Sequence, residues 1–137
     1  MRLSTCVKIT FSIAHLVSSE LSRKCDRIHG HNYILEVCFT KDNPLPWVED
    51  FKKLKEIVES VVSELDHHLI LPEKMRNMFN IDEDHIRYLP LSEVTCEELA
   101  RYLWLRIYER LSREGLELKI TKLKLYETNS SWVEVEE

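Results

Sequence analysis

Glycine is scarce in this chain, with 2 in 137 residues, Gly30 and Gly115. In so glycine-poor a sequence each is expected to hold its place for backbone reasons. The 4 cysteines, Cys6, Cys25, Cys38 and Cys96, form no CxxC pair. No run approaches the roughly 18–20 apolar residues of a membrane span. The first ten residues, MRLSTCVKIT, carry no continuous apolar stretch of the secretory kind. No membrane partner is therefore expected, and the chain reads as cytoplasmic, where thiols stay reduced. Its cysteines are then candidates for packing or chemistry rather than disulfides. No Lys/Arg-rich block is present, and the formal charge is -5. A nucleic-acid partner is not expected from that balance. There is no internal repeat, low-complexity tract or linker. With 44% apolar residues, the whole of 1–137 is expected to form a single domain.

Two alternating stretches come first. In residues 3–14, Val7, Ile9, Phe11 and Ile13 share one parity and Lys8, Thr10 and Ser12 the other, which predicts a half-buried strand. His15 continues the buried parity. After a polar loop over 16–28, residues 31–40 are β-branched and aromatic, with Tyr33, Leu35, Val37 and Phe39 on the parity of His29 and His31. Pro44 and Pro46 mark a break. The period then becomes helical over 50–65, where Phe51, Leu54, Ile57, Val58, Val61, Val62 and Leu65 make one stripe and Asp50 is available as N-cap. Residues 72–90 read as an elaborated connection. Thr95 with Glu98 has the pattern of a capping box opening a second helix, which Gly115 closes. Residues 117–127 and 131–136 predict a final hairpin. The order ββααββ predicts an α+β fold, a four-stranded antiparallel sheet with two helices on one face.

The strongest chemical signal is His29-Gly30-His31. Two histidines at i and i+2 on extended chain point to the same side, and His15 ends the neighbouring strand on matching parity. Three neutral imidazoles on one surface are the ligand set of a catalytic zinc with an open fourth position. Cys25 stands among cations in Arg23-Lys24-Cys25-Asp26-Arg27, where a thiol is more readily ionised. It suits a base, a fourth metal ligand or an ordinary loop thiol equally; Cys6, Cys38 and Cys96 read as packing residues. Asp66-His67 follows the first helix, and a carboxylate can orient an imidazole and raise its basicity. Glu97 and Glu98 favour the second helix's macrodipole. Glu127 extends the apolar row of Leu123 and Leu125, and a carboxylate there could accept two N–H donors from a guanidine-like ring edge. His68 and His85 read as surface residues.

In order, Phe11-Ser12-Ile13-Ala14-His15, Cys25-Asp26-Arg27-Ile28-His29-Gly30-His31-Asn32-Tyr33, Asp50-Phe51, Leu65-Asp66-His67, Thr95-Cys96-Glu97-Glu98-Leu99-Ala100 and Tyr126-Glu127-Thr128 resemble the family of 6-pyruvoyl- and 6-carboxytetrahydropterin synthases over nearly the whole chain. The resemblance implies the tunnelling fold, in which subunits join their sheets into a barrel, as a homohexamer of two trimers. It implies 7,8-dihydroneopterin triphosphate as substrate and zinc on His15, His29 and His31. Cys25 would be the base, with Asp66 and His67 assisting from the same or a neighbouring subunit. Glu127 would anchor the pterin ring and Glu97 would support its pocket. Arg23, Lys24 and Arg27 are candidates to meet the triphosphate.

Within that family the three-residue gap between Cys25 and His29 resembles the carboxytetrahydropterin synthases of 7-deazapurine pathways such as queuosine synthesis. The implied products are 6-carboxytetrahydropterin, acetaldehyde and triphosphate. The alternative is elimination of triphosphate to 6-pyruvoyl-tetrahydropterin. A third branch, which cleaves dihydroneopterin, tends to have Glu in the Cys role, and Cys25 speaks against it. The sequence departs from the family in its long 72–92 stretch, in Glu98 for the usual Asn, and in lacking Pro before Thr95. A reading of another class is a zinc-stabilised oligomeric module with no catalysis, its site closed by Cys25.

Overall fold

The computed structural model describes residues 1–17 and 27–137. The two alternating stretches become long strands, β1 (Thr5–His15) and β2 (His29–Thr40), paired antiparallel without a break from Thr5–Phe39 to His15–His29. Side chains alternate between faces. Val7, Phe11, Ile13 and His15 are buried on one side with Tyr33, Leu35, Val37 and Phe39. Lys8, Thr10, Ser12, Asn32 and Glu36 occupy the other.

The first helix, α1 (Phe51–Val62), starts at Asp50, whose carboxylate accepts from the Lys52 amide at 3.1 Å. Leu54, Ile57, Val58, Val61 and Val62 are buried as their spacing requires. Phe51 is not; at the first helical position it is 59% exposed.

The stretch expected as an irregular connection instead builds two strands. They are β3 (His68–Pro72) and β4 (Ile86–Leu89), separated by single 3-10 turns at Glu73–Met75 and Glu83–His85. β3 runs parallel to β1 through Ile13–His68 and Ala14–Leu69, and β4 runs parallel to β3. Parallel strands buried on both faces show no alternation, so His68-Leu69-Ile70-Leu71 carried no period to read. Leu16, Leu69, Leu71, Met75 and Ile86 form a second small core there.

The second helix, α2 (Cys96–Arg113), is capped by Thr95, whose hydroxyl accepts from the Glu98 amide at 3.1 Å. Gly115, at φ 69°, supplies the left-handed residue past its end. Glu98 does not complete the expected capping box. Its carboxylate reaches further back, accepting from the Ser92 amide at 3.0 Å, the Ser92 hydroxyl at 2.7 Å and the Glu93 amide at 2.8 Å. The closing hairpin is β5 (Lys119–Thr128) and β6 (Ser131–Glu136).

Among the described residues the sheet thus has 6 strands in the order β4-β3-β1-β2-β5-β6, not four, and two of its pairings are parallel. The α+β class stands. α1 packs on β1, α2 packs on β5 and β6, and the helices pack on each other, so one face is covered. The cysteine reading also changes. Cys6 and Cys38 are joined by a disulfide. They are direct partners across β1 and β2 on the face without helices, a relation that register shows and a separation of 32 residues hides. Cys96 is a buried free thiol, as expected; Cys25, Arg23 and Lys24 lie outside the described residues. Among the described residues no helix is long and apolar enough to cross a membrane.

Candidate metal centre

The last rungs of the β1–β2 ladder pair His15 with His29 and Ile13 with His31. All three histidines share the parity that faces the helices. Their ring centroids stand 4.6, 4.9 and 5.3 Å apart, and one ligand nitrogen from each lies within 4.8 Å of the others. Gly30 separates two of them without a left-handed backbone. A methyl group there would meet the Ile13 carbonyl at 3.4 Å, an ordinary contact, so sterics within the chain do not explain this glycine.

Hydrogen bonding sets the state of these rings. Nδ1 of His15 is 2.7 Å from the Val94 carbonyl, and Nδ1 of His29 is 2.7 Å from the Arg27 carbonyl. A carbonyl only accepts, so each Nδ1 carries the proton and each Nε2 presents a lone pair. Nε2 of His15 and of His31 are buried with no hydrogen-bond partner among the described residues. An orphaned buried polar atom costs about 1–3 kcal/mol, and two aimed at one spot fit a cation that would take both lone pairs. Burial, with the neighbouring His29 and His31, holds the His15 pKa below its usual value against the opposing pull of the Val94 carbonyl and Glu127. His15 is therefore neutral, the form in which imidazole ligates. These three residues could hold a metal ion.

Glu127 belongs to the same place. The β5–β6 ladder steps from Tyr126–Trp132 to Thr128–Ser131, leaving Glu127 in a bulge with no partner opposite. Bulges re-aim side chains, and here Oε1 lies 3.6 Å from Nε2 of His31. Glu97 is exposed in the first turn of α2, next in sequence to the buried Cys96. The Cys96 thiol points at the Leu125 carbonyl, 3.4 Å away. Burial first, then the charges of Glu127 and Glu97, push its pKa up to about 12. It is a neutral, buried packing group.

Asp66 and His67 lie elsewhere. Past the end of α1, His67 adopts φ 62° and folds back so that its Nδ1 is 2.9 Å from Oδ1 of Asp66. Adjacent residues within a helix could not meet this way. The same Oδ1 accepts from the Ser12 amide at 2.8 Å, and the His67 amide donates to the Ser12 carbonyl at 2.6 Å. The Ser12 amide first, with the His67 ring and amide, holds Asp66 below the usual carboxylate range against the opposing effect of burial. The pair lines a hollow with Thr10, Ser12 and Asn32, residues of the helix-free face. Within one chain the histidine triad and the Asp66–His67 pair are therefore on opposite sides of the sheet. His68 is half buried, its Nδ1 donating to the Asp66 carbonyl at 2.8 Å, and His85 is exposed.

Sequence reasoning passed over two groups. The Val94 carbonyl is backbone and had no signal. Tyr33 is 0% exposed, and its hydroxyl has no hydrogen-bond partner; its place on the parity of His31 was the available sign.

The comparisons with known proteins fit this geometry. A 6-carboxy-5,6,7,8-tetrahydropterin synthase of Rickettsia bellii is 32% identical over 93% of this chain and 96% of its own. A dihydroneopterin monophosphate aldolase of Pyrococcus furiosus is 31% identical over 99% of both. The crystal structure of 6-pyruvoyl tetrahydropterin synthase from Plasmodium vivax superposes with a TM-score of 0.78 over 99% of both chains; at 20% identity it shows a shared fold. The profile of one family matches residues 4–137, and the chain is a member of that family, the 6-pyruvoyl tetrahydropterin synthases.

Proposed function

We propose that this chain is a zinc-dependent pterin lyase that converts 7,8-dihydroneopterin triphosphate and water to 6-carboxytetrahydropterin, acetaldehyde and triphosphate, in the cytoplasm and on a route to 7-deazapurines. The observation that carries the reading is the pair of buried, unpartnered Nε2 atoms on His15 and His31 beside His29. His15, His29 and His31 would hold the zinc. When bound, zinc supplies a Lewis acid that lowers the pKa of a coordinated hydroxyl. Val94 and Arg27 fix the tautomers of two ligands through their carbonyls. Glu127, aimed by its bulge, accepts the N–H groups of the pterin edge, and Glu97 lies on the same side. Cys25 acts as the base on the carbon-bound proton. Asp66 holds the His67 ring by its Nδ1–H, leaving Nε2 to exchange a proton with substrate.

The position of Asp66–His67 on the opposite side of the sheet supports their acting on a neighbouring subunit's zinc site. That fits a homohexamer of two trimers. A second reading has its own support: the full-length likeness to the Pyrococcus furiosus aldolase favours cleavage of a dihydroneopterin phosphate without a carboxy product.

The test is incubation of the zinc-loaded protein with 7,8-dihydroneopterin triphosphate and, separately, the monophosphate, with products read by mass spectrometry and a Cys25→Ala control. Carboxytetrahydropterin and acetaldehyde from the triphosphate, lost in the control, are expected. Pyruvoyl-tetrahydropterin would keep the substrate and change the product. Turnover of the monophosphate alone would establish the aldolase reading, and no turnover of either would sink both.

A further inference from the structure

Tyr33 lies at the centre of the candidate site and takes no part in the chemistry above. It is 0% exposed, yet its hydroxyl has no hydrogen-bond partner among the described residues. Its ring is fixed on both sides. It stacks on Phe11 with centroids 5.4 Å apart, and it meets the edges of His31 and His15 at 5.8 and 6.3 Å. A side chain packed so tightly has no freedom to seek a partner, so the partner must come to it. A Phe would fill the same space without the polar atom. Tyrosines this buried usually have their hydroxyl satisfied.

Glu127 is the group in reach. The β2–β5 pairing runs through Leu35–Leu125 to Ile34–Tyr126, so Tyr33 and Glu127 come next on the two neighbouring strands, on the parity of the buried Leu35 and Leu125. The Glu127 carboxylate also lies 3.6 Å from Nε2 of His31. A His31 whose Nε2 lone pair is given to a metal has no proton there to offer. Tyr33 then remains a neutral donor close to Glu127.

We infer that Tyr33 is a positioning residue for pterin recognition: its hydroxyl donates to the Glu127 carboxylate and fixes the oxygen pair that accepts the N–H edge of the ring. The inference rests on the reading of Glu127 as the pterin anchor. It assigns Tyr33 a share in ring affinity and none in metal binding or proton transfer.

Fluorescence titration of the zinc-loaded protein with neopterin, a pterin without phosphate, tests this in four forms: wild type, Tyr33→Phe, Glu127→Gln and the double variant. Losing one hydrogen bond to a carboxylate is expected to weaken Tyr33→Phe binding about tenfold. In the Glu127→Gln background the same change is expected to do less than about twofold, since the two residues act as one unit. In turnover, Tyr33→Phe should raise KM and leave kcat within about twofold, as lost uniform binding does. Its zinc content and melting temperature should match the wild type, because the unpartnered hydroxyl holds nothing in the free protein. Unchanged neopterin binding in Tyr33→Phe would overturn the inference, as would equal losses in both backgrounds. A fall in melting temperature that accounts for the weaker binding would make Tyr33 structural. A wild type that binds zinc but not neopterin would remove the pterin reading itself, and this inference with it.

Discussion

The two ends of the β1–β2 ladder use the same strands and the same pairing for opposite purposes. At one end Cys6 and Cys38 face each other on the helix-free side and are covalently joined. At the other, His15 and His29 face each other with His31 on the helix-covered side, and two of their nitrogens have no partner. The first end contributes stability; the second gives some up. Buried orphaned nitrogens each cost on the order of 1–3 kcal/mol, whereas a crosslink removes freedom from the unfolded chain. The loop that the disulfide closes, 32 residues in separation, contains all three histidines. The crosslink at one end of the ladder thus offsets, in overall stability, part of what the unpartnered nitrogens cost at the other.

The largest effect is expected at the histidine end. Saturating zinc should stabilise the wild type by about 4 kcal/mol when its concentration is a thousandfold above Kd. His29→Ala, which removes one half-exposed ligand, should lose that response and all measurable turnover; calorimetry with and without zinc reads the first and product assay the second. A zinc response that survives in His29→Ala would place the metal elsewhere. At the cysteine end, the Cys6→Ser/Cys38→Ser variant should lose roughly 3–4 kcal/mol in denaturant unfolding, the loop-closure value for that separation. Its zinc response and kcat should stay within about twofold of wild type, as distant sites usually act independently. If reduction instead weakens zinc binding, the two ends are mechanically coupled and the division of labour fails.

Much of the functional end was legible because it obeys a period. His15, His29 and His31 all fall on the parity of the core residues, and strand alternation alone put them on one side. Glu127 was found the same way, although the bulge that aims it came only with the structure. What stayed hidden had no period to follow. β3 is too uniformly apolar to alternate, and β4, four residues with Arg87 exposed inside it, is too short. The Cys6–Cys38 bond depends on register between strands, not on spacing along one. The separation of Asp66–His67 from the histidines follows from a left-handed turn at His67 that a local pattern does not specify. Glu127 allows a smaller but direct check on this reading. Glu127→Gln keeps the shape and removes the charge, so neopterin affinity should fall by about 10–100-fold, as for a lost charged hydrogen-bond acceptor. Zinc affinity should not change; a fall in zinc affinity would make Glu127 a partner of the metal instead.

The smallest expected effect concerns how the histidine end is held. Glu98 gathers the Ser92 amide and hydroxyl and the Glu93 amide, next in sequence to Val94, whose carbonyl receives the His15 Nδ1–H at 2.7 Å. Burial would raise the Glu98 pKa, but those hydrogen bonds and the charge of Lys74 outweigh it and leave it below the usual value. A depressed carboxylate contributes stability that is complete above its unfolded pKa and lost as pH falls through its folded one. Glu98→Ala should therefore lower stability by about 1 kcal/mol at neutral pH, the size of a lost helix cap. The gap to wild type should close as the pH drops below about 4, the range in which an unperturbed Glu also becomes neutral. If the Ser92–Val94 turn also sets the tautomer of His15, zinc affinity should fall about tenfold, as when an outer partner of a ligating histidine is removed. Parallel denaturation curves from pH 3 to pH 7 and a zinc titration at pH 7 separate the two effects. A stability loss without a zinc loss would show that the turn is held for the helix alone, and that His15 keeps its orientation from packing.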